Sequence, residues 1–313
     1  GGLIHVNVVG CALFAAISGS SAATVATVGK MSIPELRKRN YPEKLLLGSL
    51  AGSGTLGLLI PPSIILIIYG VTVQESIAKL FIAGIIPGIM LAIFFMLYVI
   101  GWSVLNKNIM PKMDETFSFF QKIKQSGQLI PVIVLILAVI GSIYVGIATA
   151  TEAASLGVVG ALILSFFQKS LNKETFKLSL LGATKTSCMI AFILAGSSFL
   201  SLAMGFTGLP RNLAIWINEM GLSPYVLIMV LTFFYIILGM FLDGISAVVL
   251  TMAIIEPMIR QAGFDMIWFG VFLVIVVEMA QITPPVGFNL FVLQGMANKD
   301  MGFIAKSAFP LFL

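Results

Sequence analysis

Charged residues, histidine and cysteine are scarce in this sequence of 313 residues. Only 10% of the residues are charged, and the chain has one histidine, His5, and two cysteines, Cys11 and Cys188. So little charge excludes the solvated surface of an ordinary water-soluble protein. The few nitrogen and sulfur ligands also argue against a transition-metal site. Both cysteines lie in separate apolar stretches, where we expect buried thiols and no disulfide.

The same shortage argues against an enzyme and against a nucleic-acid-binding protein. An intramembrane enzyme needs a nucleophile with a base, or a metal cluster, and the sequence has no HExxH-like pattern. The net charge is +5, but the positive residues lie in short loops between apolar runs, a distribution that sets membrane topology. We therefore expect no enzymatic activity, no organic cofactor and no nucleic-acid partner.

Long apolar runs dominate what is present. Hydrophobic residues make up 59% of the chain, and the mean hydropathy is +1.08. These values predict an all-α polytopic membrane protein, because only helices and closed barrels satisfy the backbone within a bilayer. Uninterrupted spans are predicted at about residues 80–104, 129–147, 153–167 and 178–206.

A double proline interrupts two further apolar runs. Pro61-Pro62 lies within residues 45–71, and Pro284-Pro285 lies within residues 264–295. Proline has no N–H and clashes with the preceding turn, so the helix breaks and carbonyls lose their partners. Such backbone is tolerated at membrane depth where it is buried in protein or lines a polar cavity. We predict two transmembrane helices broken at these prolines.

Short apolar arms around a polar tip predict two re-entrant hairpins. The first hairpin consists of residues 3–17 and 22–29 around the tip Ser18-Gly19-Ser20-Ser21, and the second covers residues 225–255 around Leu242-Asp243-Gly244. The arms of the first hairpin are shorter than the roughly 20 residues that a spanning helix needs. Residues 33–41, which begin near Pro34, predict a short interfacial helix.

The hairpins and the broken helices form two copies of one unit. In each copy, a first proline precedes the double proline by 27 residues, and an arginine follows that first proline after three residues. The matching pairs are Pro34 and Pro257, Arg37 and Arg260, and Pro61 and Pro284. We predict a first repeat over residues 1–73, connecting helices over residues 74–177 and a second repeat over residues 178–313.

Counting the crossings predicts that the two repeats are inverted. If the five segments between the tips all span the membrane, the second hairpin opens on the opposite face from the first. One set of loops carries Lys30, Arg37, Lys38, Arg39, Lys44, Lys107, Lys112, Lys122, Lys124, Lys169, Lys173, Lys177 and Lys299, and the other carries Lys79, Arg211 and Arg260. The positive-inside rule then places the first set in the cytoplasm.

Inverted repeats with broken helices are typical of secondary transporters, whose ion and substrate sites lie at the repeat interface. Freed carbonyls attract cations, and an oxygen-rich site of low charge suits Na⁺. We predict one sodium site at Ser18, Gly57, Ile60 and Pro61 and a symmetric one at Gly244, Ser246, Ala280, Thr283 and Pro284. The competing interpretation is close helix packing, for which membrane proteins use the same small residues.

Asp243 is the most informative residue for substrate binding. An ionisable group within the membrane is energetically costly, and at a hairpin tip it suits polar groups of a substrate, an ion or a proton. Hydroxyls at Ser20 and Ser21 and the amide of Asn289, just past the second break, complete the predicted substrate contacts. Glu278 lies before the second break and is a weaker candidate that we expect to be buried.

Several motifs, in order, resemble a known family over the whole chain. GSGTLGLLIPPS, PELRKRNYPEK, SGSSAAT, TATEAA, FLDG and QITPPVGFNLFV together resemble the large membrane subunit of the TRAP (tripartite ATP-independent periplasmic) transporters. The resemblance implies an elevator-type Na⁺ symporter for carboxylates, such as C4-dicarboxylates or sialic acid, in the bacterial inner membrane. It implies as partners a small four-helix membrane subunit and a periplasmic substrate-binding protein.

The resemblance also implies sodium ligation at Ser18, Gly57, Ile60 and Pro61, and substrate contact around Ser20 and Asp243. Family members have further helices at both ends, so we expect this chain, which begins without methionine and stops within an apolar run, to be a fragment. Two alternatives remain at this stage. One is a stand-alone divalent-anion:sodium symporter or antiporter of the same superfamily architecture, which needs no partner, and the other is a channel.

Overall fold

The structure is a computed structural model that describes residues 2–111, 127, 130–208, 212, 215–216, 219, 221 and 223–313. All regular secondary structure in these ranges is helical. Five helical segments are long and apolar enough to cross a membrane, by length and composition. The predicted class, an all-α polytopic membrane protein, is confirmed. Four residues of the charge comparison, Lys112, Lys122, Lys124 and Arg211, lie outside the described ranges.

The first part of the chain forms two arms, of 14 and 18 residues, and an interrupted helix. The helices are α1 His5–Ser18, α2 Ser21–Lys38, α3 Glu43–Leu59, α4 Ile64–Val73 and α5 Ile77–Leu105. Between α1 and α2, Gly19 adopts a left-handed conformation with a φ of 60°, which glycine adopts without a steric penalty. The side chain of Ser20 then caps α2 by accepting a hydrogen bond from the N–H of Ala23.

The prediction of a separate interfacial helix over residues 33–41 is wrong, because α2 continues through Pro34 to Lys38. An interior proline costs a helix about 3 kcal/mol. The flanking Ile33 and Leu36 are 4% and 2% exposed, and burial of such side chains contributes about 1.5–3 kcal/mol each. Packing of this helix face therefore outweighs the cost of the proline.

The last part of the chain has a similar order of elements. Its helices are α9 Pro224–Gly239, α10 Gly244–Gln261, α11 Met266–Gln281, α12 Phe288–Ala297 and α13 Met301–Phe312. As in α2, an interior proline, Pro257, lies near the end of α10. The helices after the two breaks, α4 and α12, have 10 residues each. Both end at a left-handed residue, Gln74 and Asn298 respectively.

Residues 114–207 form a compact unit of their own, and residues 1–113 with 208–313 form another. The smaller unit contains α6 Ile130–Tyr144, α7 Ala150–Phe167 and α8 Lys173–Thr207. Glu152 has a local role there, since its carboxylate and the Thr149 hydroxyl form a capping box at the start of α7. Cys11 is buried as expected, but Cys188 is exposed, as are most side chains of α8 among the described residues.

Helix α3 lies at the centre of the larger unit. Every residue from Leu45 to Leu59 is buried, and α3 packs against α1, α2, α5 and α13. Small residues allow the close approach: a Cβ on Gly52 would lie 2.8 Å from Cβ of Leu311 in α13. The Asn7 side chain of α1 donates to the Leu46 carbonyl at 3.2 Å. This packing buries the C-terminal end of α3, where the first break begins.

Candidate functional site

The tip of the first hairpin lies directly against the first break. The N–H of Ile64, the first residue of α4, donates to the carbonyl of Gly19 at 3.3 Å. A Cβ placed on Gly19 would lie 2.8 Å from the carbonyl oxygen of Pro62. Both contacts involve backbone, so the tip and the break are held together irrespective of side-chain rotamers.

Four predicted or neighbouring residues form an oxygen-rich cluster at this contact. Ser18 Oγ lies 2.9 Å from Thr24 Oγ1, which donates to the Ser20 carbonyl at 2.8 Å. A Cβ on Gly57 would lie 2.7 Å from both the Ser20 carbonyl oxygen and Thr24 Oγ1. The structure therefore brings Ser18, Ser20 and Gly57 together. Sequence reasoning missed Thr24, although it lies one helical turn after Ser20, the cap of α2.

The first break partly satisfies its own freed carbonyls. Pro61 and Pro62 are joined by a cis peptide bond, and neither proline can donate to the preceding turn of α3. The hydroxyl of Ser63 donates to the carbonyl of Leu58 and also accepts from the N–H of Leu66 at 3.4 Å, which caps α4. Pro61 has no N–H, so it cannot donate to the carbonyl of Gly57, four residues before it.

We expect Ser63→Ala to lower the free energy of unfolding by about 2–3 kcal/mol, because it removes an N-cap and leaves the buried Leu58 carbonyl without its hydroxyl partner. The matched control is Ser76→Ala. Ser76 caps α5 in the same way, through the N–H of Lys79 at 3.4 Å, but at an exposed position. Thermal unfolding of the purified variants measures the difference, and equal losses would contradict the role of Ser63 in the break.

The second tip and the second break are in contact as well. The N–H of Gly287, just before α12, donates to the carbonyl of Met240 at the end of α9, at 3.4 Å. A Cβ on Gly239 would lie 2.6 Å from Cβ of Ala280. At Gly244, a Cβ would lie 2.9 Å from Val277 and 3.0 Å from Ile65. The second tip thus contacts α11 and also reaches the start of α4, which the first tip contacts.

The predicted oxygen ligands of the second sodium site already take part in backbone hydrogen bonds. The Ala280 carbonyl accepts from the N–H of Thr283 at 3.1 Å, and the Thr283 hydroxyl donates to the Met279 carbonyl at 2.7 Å. The N–H of Ile282 also donates to both carbonyls, at 3.3 Å to that of Met279, so each of these acceptor oxygens already accepts two hydrogen bonds. Among the described residues, the side chain of Pro284 is exposed. This set is therefore less enclosed than the cluster at the first tip.

Asp243 is half-buried and caps α10. Its Oδ2 accepts from the N–H groups of Ile245 and Ser246 at 3.1 and 3.3 Å, and the Ser246 hydroxyl donates to its Oδ1. A carboxylate at a helix N-terminus is stabilised by the helix dipole. Among the substrate candidates at the first tip, Ser20 caps α2 and Ser21 is 4% exposed.

Asn289 lies in the first turn of α12, two residues after Gly287, and its side chain packs against the middle of α3. Its side chain is fully buried and donates to the Ala51 carbonyl at 3.4 Å. A Cβ on Gly54, also in α3, would lie 3.6 Å from Asn289 Nδ2. Within the described residues, Asn289 Oδ1 has no hydrogen-bond partner. The amide oxygen is therefore a buried acceptor next to α3.

Glu278 is buried as expected, at 3% exposure. It lines a cavity of about 340 Å³ together with Thr55, Tyr98 and the last residues of α13. The backbone N–H of Leu59 lies nearby, but neither carboxylate oxygen of Glu278 forms a hydrogen bond of good geometry with the described residues. Glu278 belongs to α11, and Thr55 of α3 lines the same cavity, so this carboxyl faces a cavity shared by the two broken helices.

Several described helices are apolar and long enough to cross a membrane, and two broken helices each contact the tip of a helix pair. This combination is typical of a multi-pass membrane transport protein. The family model of the tripartite ATP-independent periplasmic transporter, DctM component, matches residues 1–313, and the chain belongs to this family. The resemblance seen in the motifs is confirmed. The family is a transporter permease and not an enzyme, and it works with a small membrane subunit and a periplasmic binding protein.

Relatives support the family over essentially the whole chain. The C4-dicarboxylate TRAP transporter large permease protein DctM of Pseudomonas aeruginosa is 33% identical over 99% of this chain and 72% of its own length. The 2,3-diketo-L-gulonate TRAP transporter large permease protein YiaN of Escherichia coli is 31% identical over 100% and 73%. The isethionate TRAP transporter permease protein DctMQ of Oleidesulfovibrio alaskensis is 32% identical over 99% and 49%.

Proposed function

We propose that this chain catalyses Na⁺-coupled uptake of a carboxylate across the bacterial inner membrane, with a periplasmic binding protein delivering the substrate. Relatives whose names specify C4-dicarboxylates support a dicarboxylate as the first substrate to test. Family membership supports the two partners, a small membrane subunit and a binding protein. An elevator movement of the tips and broken helices relative to the other helices completes the proposal.

The oxygen cluster at the first tip is the observation that carries the sodium coupling. The Ser18 hydroxyl, the Ser20 carbonyl and the Thr24 hydroxyl lie within hydrogen-bond distance of one another. Gly57 packs against the same atoms. Its carbonyl lacks the usual intrahelical donor, because the residue four positions later is Pro61, which has no N–H. Uncharged oxygens in this arrangement fit a hard monovalent cation, with the carbonyls of Ile60 and Pro61 as further ligands.

Matching contacts in the two halves of the chain support a pair of inverted repeats. In each half, a backbone N–H just after the break donates to a carbonyl at the end of the first arm. The N–H of Ile64 donates to the carbonyl of Gly19, and the N–H of Gly287 donates to the carbonyl of Met240. We assign residues 1–73 and 178–313 to the two repeats and residues 74–177 to the connecting helices. The second sodium site at Gly244, Ser246, Ala280, Thr283 and Pro284 follows from the same symmetry.

Three helices begin close to the two tips, which suits an anionic substrate. α2 begins at Ser21, α10 at Gly244 and α4 at Ile64, and the tips contact the start of α4. Unpaired N–H groups and the positive end of the dipole attract carboxylates to such helix ends. We place the substrate there, with Ser20, Ser21, Asp243 and Asn289 as the proposed contacts. The carboxylate of Asp243 acts through a coupled cation because the substrate is an anion.

Uptake of labelled succinate into proteoliposomes tests the proposal. We expect the chain, reconstituted with its small subunit, to need both an inward Na⁺ gradient and the binding protein, with a Hill slope for Na⁺ above one. Ser18→Ala should weaken the apparent Na⁺ affinity by about tenfold, which corresponds to about 1.4 kcal/mol of lost ion binding. Ser155→Ala, an exposed serine on α7, is the control and should leave the affinity unchanged.

Three results would count against parts of this proposal. Equal uptake in K⁺ would refute sodium coupling. Robust uptake without any binding protein would favour a stand-alone symporter. Electrogenic flux far above carrier rates would indicate a channel.

A further inference from the structure

Two arginines reach across the larger unit to the ends of the helices that follow the breaks. Arg37, near the end of α2, donates from Nη2 to the carbonyl of Ala297, the last residue of α12, at 2.7 Å. Arg260, near the end of α10, donates from Nη2 to the carbonyl of Val73, the last residue of α4, at 3.1 Å. Each arginine thus contacts a helix from the other half of the chain.

Acidic neighbours hold both guanidinium groups in place. Glu43, at the start of α3, accepts from Arg37 Nε at 2.6 Å and from Nη2 at 3.1 Å. Glu256 accepts from Arg260 Nε at 2.9 Å, and Glu75 lies 3.9 Å from its Nη2. A planar guanidinium can bind a carboxylate through one edge while it donates to a carbonyl through another N–H. A lysine has no such fork.

The positions of these contacts matter because α4 and α12 are short. Ten helical residues span about 15 Å, so one end of each helix lies near a tip while the arginine binds the other end. The last carbonyls of a helix lack intrahelical donors and form the negative end of its dipole, which a cation stabilises. In both helices, the cation comes from the arm that follows the tip of the opposite half.

We propose that Arg37 and Arg260 are positioning residues that fix α12 and α4 from their C-terminal ends, so that the N-terminal ends of these helices stay at the breaks. The hairpin of each half thereby holds the broken helix of the other half, and the two halves move as one body. This inference goes beyond the proposed uptake activity, and its main test does not require transport.

Hydrogen exchange followed by mass spectrometry on the reconstituted permease provides that test. We expect Arg37→Ala to speed exchange about tenfold at the amides of residues 295–298 and to leave residues 71–75 unchanged. We expect Arg260→Ala to do the reverse. The control is Lys38→Ala, which removes an exposed positive side chain next to Arg37 and should change neither segment.

The crosswise pattern separates positioning from a general loss of stability. Three results would overturn the proposal. Exchange could rise only in the helix that carries the mutated arginine, it could rise equally at residues 295–298 and 71–75, or it could stay unchanged. If an alanine variant fails to fold, Arg37→Lys and Arg260→Lys replace it, with a smaller rise expected in the same crosswise positions. In the uptake assay, both alanine variants should weaken apparent Na⁺ affinity more than maximal rate. Absence of uptake in the wild type, with the crosswise pattern intact, would refute the proposed function alone.

Discussion

Gly57→Ala should reduce sodium-dependent uptake at least about tenfold, although it adds a single methyl group. That methyl would lie 2.7 Å from the Ser20 carbonyl oxygen and 2.8 Å from the Ser20 carbonyl carbon, so the backbone of the first tip must move. The proposed ion ligands Ser18 and Ser20 move with it. A loss of only about 1.4 kcal/mol in ion binding produces the tenfold change.

Gly57→Ala should also lower the free energy of unfolding, by at most about 2 kcal/mol. Replacing glycine by alanine inside a helix stabilises it by about 1 kcal/mol, while overpacking a buried contact costs about 1–3 kcal/mol, so the first term offsets part of the second. The control is Gly101→Ala in α5, where an added Cβ meets nothing within 4 Å. Normal Na⁺ dependence of uptake in the Gly57 variant would contradict the sodium site at the first tip.

The sequence was sufficient to locate both breaks, because a double proline removes two N–H groups whatever surrounds it. α3 ends at Leu59 and α11 ends at Gln281, each just before its prolines. A single proline was misleading for the opposite reason. The cost of Pro34 to α2 is outweighed by the burial of two neighbouring side chains, so the end of α2 depends on tertiary packing that no local pattern reveals.

Contacts between distant residues explain what the sequence did not reveal about the site. Glycine and serine at the first tip indicated a polar turn, but only the fold brings Gly19 to Ile64. The contact of Arg37 with Ala297 joins residues 260 positions apart, and its acceptor is a backbone carbonyl that has no side-chain signature. The positions of Thr24 and Ser63, by contrast, could have been predicted from the sequence, since each lies one turn or less from a residue that the sequence already singled out.

Asp243→Asn separates the helix cap that the structure shows from the ligand binding that we propose for this residue. Asparagine caps helices about as well as aspartate, so α10 should keep its start and the free energy of unfolding should change by only a few tenths of a kcal/mol. The negative charge, however, is lost. Because the substrate is itself an anion, we expect that charge to hold a coupled cation near the second tip, and we expect uptake to fall at least about tenfold.

Asp265→Asn is the matched control for this change. Asp265 caps α11 by accepting from the N–H of Trp268 at 2.8 Å, at an exposed position away from both tips. Uptake by the Asp265 variant should therefore equal that of the wild type. Asp243→Ala should lose both uptake and about 1 kcal/mol of stability, because it removes the cap as well as the charge. Wild-type uptake by Asp243→Asn, with loss only in Asp243→Ala, would show that Asp243 acts as a helix cap and that the second tip binds its ligands through uncharged groups alone.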